Sequence, residues 1–165
     1  MTTYCINSHN NQTMKFLHSV VFMIIASFVI QYYVMSYLIS NDSKNITFSR
    51  GKVYMASLMA AFMGLIEVIM HDHQYHTFSS HYYLVLGLFI VAFWYLYRNQ
   101  IGIDERNYLN EMIEHHSMAL LTSNKILEKT SNYKTRRIAM QIRNIQEMDI
   151  NDMKVILKEL PKKNL

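Results

Sequence analysis

Apolar residues dominate the first hundred positions and then give way to a rhythm of three- and four-residue steps. Phe16 to Ile39 carries no charge, and its length of about 24 residues, roughly 36 Å as a helix, exceeds a hydrocarbon core of about 30 Å. Val53 to Met70 and Tyr82 to Tyr97 are further apolar runs of about 18 and 16 residues, near the lower limit for a span. Tyr82 and Tyr83 at one end of the third run, and Trp94, Tyr95 and Tyr97 at the other, fit interfacial aromatic belts. The pattern predicts an N-terminal tail at 1–15, a membrane region at 16–97 with spans at 16–39, 53–70 and 82–97, and a C-terminal domain at 98–165. The first run is expected to stay as an anchor. A cleavable signal would have a shorter apolar core and a small-residue cleavage site, which Tyr32, Tyr33 and Tyr37 do not supply.

In the second run Ala56, Ala60 and Gly64 recur every fourth residue beside Ser57 and Ala61. Such a ridge lets helices approach closely, so it is expected against span one or span three. Lys44, Arg50 and Lys52 in the first connection, with Arg98 and Arg106 after span three, favour a cytoplasmic C-terminal domain. The triplets Asn11-Gln12-Thr13 and Asn45-Ile46-Thr47 arise cheaply in an Asn-rich chain and decide nothing about sidedness.

From Asp104 the rhythm is that of amphipathic helix. Leu109, Met112, Ile113, His116, Leu120, Ser123 and Leu127 share one face, with Asp104 and Glu105 placed at the N-terminal end. Thr130 to Asn132 reads as a turn, and Asn132 as the cap of a second helix that Pro161 ends. That helix carries Ile138, Ile142, Ile145, Asp149, Met153, Ile156 and Leu160 on one stripe, where Asp149 stands in an aliphatic position. An all-α protein is expected, three transmembrane helices followed by an antiparallel helical hairpin.

Composition narrows the chemistry. The 165 residues include a single cysteine, Cys5, which leaves no internal disulfide and no thiolate cluster within one chain, but 13 Met and 8 His. A net charge of +4, without a basic run interleaved with a binding motif, sets nucleic acid aside. Folding the hairpin back about residue 131 brings Met112, His115, His116, Gln146, Asp149 and Met153 to one level. Thioether and imidazole donors suit monovalent copper or silver better than hard cations. Periodicity equally allows Met112 and Met153 as core filler and His116 with Asp149 as a buried pair.

The run Met112-Ile113-Glu114-His115-His116-Ser117-Met118-Ala119, followed by Ile138-Ala139 and Gln146-x-x-Asp149-Ile150-x-x-Met153, resembles the domain-of-unknown-function 305 family. That family's pattern is Met-Ile-Pro-His-His with a later Gln-x-x-Glu-Ile-x-x-Met, on a ferritin-like helical scaffold. The resemblance covers about residues 104 to 160, and a membrane-anchored branch has three spans ahead of the domain, as here. It implies metal binding, with copper and heavy-metal resistance as the themes of some members, and an extracytoplasmic domain, against the charge count. Glu114 stands where the family has Pro, and Asp149 where it has Glu. Di-iron chemistry would need Glu-x-x-His on two helices, and the second helix has no such copy.

His71, His73, His76 and His81, with Asp72, crowd the second connection and form a second candidate metal cluster, or else a polar loop titrating near neutral pH. Glu67 lies inside span two, where a carboxylate is costly unless paired, and Met59, Met63, Glu67 and His71 follow at four-residue steps. The row reads as a ligand relay or as a glutamate snorkelling to the interface. The functional expectation is an integral membrane protein, with lipid around its spans, that binds soft metal, copper first, in metal tolerance or homeostasis. The rivals are a membrane-anchored oligomerisation or interaction protein without metal, and a ferritin-like redox enzyme. No catalytic residues are identified. A hairpin of this size buries little core alone, so a homo-oligomer completing a four-helix bundle is expected.

Overall fold

The computed structural model describes residues 2–161, and side chains from residue 14 onward. Among the described residues the chain is helical throughout. The elements are α1 (Thr2–Val29), a π-helical stretch (Ile30–Val34), α2 (Met35–Ile39), a 3-10 turn (Ser43–Asn45), α3 (Arg50–Tyr75), α4 (Ser80–Arg98), α5 (Glu105–Lys129) and α6 (Tyr133–Glu159). Three helical segments are long and apolar enough to cross a membrane: Met14–Ile39, Arg50–Tyr75 and Ser80–Arg98. Phe22, Leu84, Leu88, Val91 and Trp94 turn outward from them, as side chains that face lipid tails must. The three predicted spans are thus present, and each is longer than its uncharged run.

By its internal contacts the chain divides into two compact units, Met1–Tyr32 with Val53–Asn99, and Tyr33–Lys52 with Gln100–Leu165. In the first unit Phe16, Val20, Val68 and Leu86 form the core, with Ile24, Leu65, Tyr82 and Tyr83 against them. The small-residue ridge does what its spacing predicts. Ala56, Ala60 and Ala61 are buried, and a β-carbon on Gly64 would meet Ile24 of α1 and Leu86 of α4. The ridge therefore meets both neighbouring spans rather than one.

The second connection is shorter than its polar composition implies. Helix α3 continues through His71, Asp72 and His73 to Tyr75. His76, with φ of 50°, closes it in the left-handed region, and Thr77 N–H returns to the Asp72 carbonyl at 3.1 Å, a C-terminal closure. The buried Asp72 carboxylate then binds the turn, accepting from Ser79 N–H (2.7 Å), Ser79 Oγ (2.7 Å) and Thr77 Oγ1 (3.0 Å).

In the second unit α5 and α6 form the antiparallel hairpin. Both predicted caps hold: Asp104 accepts from Asn107 N–H at 2.9 Å and Asn132 from Thr135 N–H at 3.1 Å. Arg106 reaches the Leu160 carbonyl across the open end, and Arg136 the Leu127 carbonyl across the turn. Ile113, Leu120, Ile150 and Met153 form the core, with Leu109, Met112 and Leu157 packed on it. The α5 face matches the predicted stripe. That of α6 is rotated, because its buried positions are Ala139, Ile150 and Met153, while Ile138, Ile142, Ile145 and Ile156 stay 39–49% exposed. The apolar arc of α6 is wider than one neighbouring helix can cover, and α5 takes the edge that includes the small Ala139.

The connection between the first two spans belongs to this unit and lies along α5, on a face the sequence reading leaves to solvent. Ser117, fully buried, meets Ser40 Oγ (2.9 Å), Asn41 N–H (3.0 Å) and Asn45 Nδ2 (3.2 Å). Glu114 accepts from Lys52 Nζ (3.0 Å) and from Thr47 N–H (3.2 Å).

Candidate metal site

Five of the predicted hairpin residues meet at the α5–α6 seam. His116 projects from α5 so that its Nδ1 lies 3.6 Å from Asp149 Oδ2 on α6, too far for a good hydrogen bond. That Nδ1 is buried without a hydrogen-bond partner, and so is Gln146 Oε1 one turn before Asp149. Met153 is buried in the seam and Met112 packs on the same cluster. Helical periodicity explains the meeting: residues 112 and 116, and 146, 149 and 153, recur every three or four positions on facing stripes.

His115 does not join them. One residue along α5 rotates the side chain by about 100°, and its Nε2 instead faces Glu111 Oε1 at 3.8 Å, with about half of the side chain exposed. Glu111 raises the pKa of His115 above the ordinary value, and partial burial opposes the shift. The carboxylate of Glu111 is itself buried.

Among the described residues, no three His, Cys, Asp or Glu side chains come together as a metal site. The second cluster is accordingly dispersed. His71 stacks on Phe16 with ring centroids 3.6 Å apart and touches Asp72 at 3.3 Å, whereas His73, His76 and His81 are exposed. Asp72 is engaged by its turn. Glu67 accepts a hydrogen bond from Ser19 Oγ of α1, which gives the intramembrane carboxylate a partner without a metal. Of its row, Met59 faces outward and Met63 is half-buried.

At the seam, then, the donors are one imidazole nitrogen, two thioethers, one carboxylate and the Gln146 amide oxygen. Borderline and hard cations want three or more nitrogen and oxygen ligands, which here would require His116, Asp149 and Gln146 together. Thioether sulfur beside an imidazole is the kind of donor that soft monovalent ions accept. Sequence reasoning missed the opposite face of α5, where Glu111, Glu114 and Ser117 bind the 40–52 connection. Its signal was present as a second spacing of three, at 111, 114 and 117.

Helices long enough to span a membrane, joined to an antiparallel hairpin with polar residues inside its seam, define an all-helical protein of the multi-pass membrane type. Residues 104–164 match the family described as Domain of unknown function (DUF305), and the chain belongs to that family. It is also similar to an uncharacterised protein of Acanthamoeba polyphaga mimivirus, 33% identical over 141 residues, covering 85% of this chain and 91% of the relative. No solved structure matches the chain.

Proposed function

We propose that this membrane protein binds a soft monovalent metal ion, copper in the first place, at the α5–α6 seam, in metal tolerance or homeostasis. The scaffold would be half of a ferritin-like bundle. One observation carries the reading: His116 Nδ1 is buried without a hydrogen-bond partner in a seam that also contains Met112, Gln146, Asp149 and Met153. Leaving a buried polar group unpaired costs about 1–3 kcal/mol, and an ion accepting the nitrogen lone pair removes that cost. His116 would supply the fixed nitrogen, Met112 and Met153 the soft donors, and Asp149 the charge that offsets a cation.

The test is a competition titration of full-length protein with monovalent copper under reducing conditions. Met112→Leu with Met153→Leu nearly conserves volume while removing both sulfurs, and His116→Gln removes the imidazole. Each is expected to weaken binding at least tenfold, whereas His115→Gln, outside the seam, changes it less than threefold. Wild-type binding no tighter than the competitor, or no response to these substitutions, overturns the reading. A second reading, an oligomerisation module without metal, draws on the exposed isoleucines of α6.

A further inference from the structure

Helix α5 packs against both α6 and the 40–52 connection, whereas α6 packs on α5 and meets the connection at Lys154, whose Nζ donates to Asn45 Oδ1. Ile138, Ile142, Ile145 and Ile156 form a stripe beside the seam, each more than a third exposed. At its turn end the stripe borders a groove whose walls include Thr122 and Ile126 of α5 and Ile138 and Ile142 of α6. This side of the hairpin lies in the second compact unit and away from the contacts of the 40–52 connection with Glu114 and Ser117. A hairpin with such a face has half of a four-helix core.

We propose that a second copy of this chain docks on this face, with α6 antiparallel to α6 across a two-fold axis. Charge argues for the occupant. The first half of α6, 133–145, contains Lys134, Arg136, Arg137 and Arg143 and no acid; the second half, 146–159, contains Glu147, Asp149, Asp152 and Glu159 against Lys154 and Lys158. A helix basic at one end and acidic at the other is complementary to itself only when reversed, and a two-fold contact must be self-complementary. A register centred between Gln146 and Glu147 sets Lys134 opposite Glu159 of the second copy, Ile138 opposite Val155 and Ile145 opposite Met148.

The alternative occupant, a lipid surface, fits less well. A surface-bound helix borders its apolar face with Lys and Arg, and this stripe contains Asp149 and is bordered by Asp152 and Glu159.

The experiment uses the full-length protein in lipid nanodiscs with Cys5→Ser, so that introduced cysteines stand alone. Ile145→Cys, near the axis, is expected to give a covalent dimer with a short bis-maleimide, and Asn151→Cys, on the far side of α6, none. By mass photometry the wild type should be dimeric. Lys134→Glu should raise the dimer dissociation constant at least fivefold, and adding Glu159→Lys should restore it, with helical circular dichroism unchanged. A monomeric wild type, equal cross-linking at both positions, or a dimer insensitive to the charge exchange overturns the proposal. Protection of Ile142→Cys from a water-soluble maleimide by the bilayer in a monomeric protein would assign the face to lipid and overturn it likewise.

Discussion

The carboxylate of Glu111 occupies the space that a β-carbon on Gly51 would need. Gly51 lies in the first turn of α3, so the buried carboxylate sits against the positive end of a helix, an arrangement worth about 0.3–1 kcal/mol at the surface and up to about 2 kcal/mol when partly buried. Gly51→Ala should push Glu111 aside and destabilise the hairpin by about 1–2 kcal/mol, read as faster amide exchange along α5. In a Glu111→Ala background the same substitution should be neutral or stabilising by up to about 1 kcal/mol, since alanine favours helix over glycine. Equal costs in both backgrounds would show that the two residues are uncoupled.

Glu111 has a second dependent in His115. Because the folded-state pKa of His115 is raised by Glu111, the pair's contribution is complete below the unfolded histidine value of about 6.5 and fades as pH rises through the higher folded value. Nuclear magnetic resonance titration of His115 in metal-free protein should show the elevation, and Glu111→Gln should bring the midpoint down. A midpoint that stays where it was after Glu111→Gln would assign the shift to another group.

Ser117 is the most constrained polar residue of the hairpin. Its hydroxyl serves Ser40, the Asn41 amide and the Asn45 side chain from a fully buried position. Ser117→Ala keeps the volume but leaves the Asn41 amide and the Asn45 side chain without that acceptor, at a cost of about 1–3 kcal/mol. The loss should appear as a lower midpoint of thermal unfolding, with Asn41 and Asn45 amide protection falling first. Ser123→Ala, lacking such partners among the bonds described, makes a milder comparison.

Much of this architecture is legible in the chain because its strongest signals are local. Uncharged length gives the spans, Asp104 and Asn132 give the helix starts, and the residue types at 112, 116, 149 and 153 bring the seam group together. What escapes is whatever depends on a partner distant in sequence. Nothing near Ser117 tells that Ser40 and Asn45 will reach it, and nothing near Ile138 tells which edge of a wide apolar arc α5 will take. His115 and His116 look equivalent as a doublet, but the step of about 100° along α5 sends one to Glu111 and the other to the seam. The histidine-rich connection misleads for a related reason: composition counts donors, whereas Asp72 has already committed its oxygens to Ser79 and Thr77.

The hydrogen bonds between the 40–52 connection and α5 also impose a parity on insertion. Residues 40 and 117 meet only if the chain crosses the bilayer an even number of times between them, so α3 and α4 must both cross or both fail to cross. A molecule that threads one and strands the other leaves its hairpin and its connection on opposite faces, with Asn45, Glu114 and Ser117 deprived of one another. Closure of the 40–52 connection onto α5 is thus open only to a chain that has threaded both helices or neither.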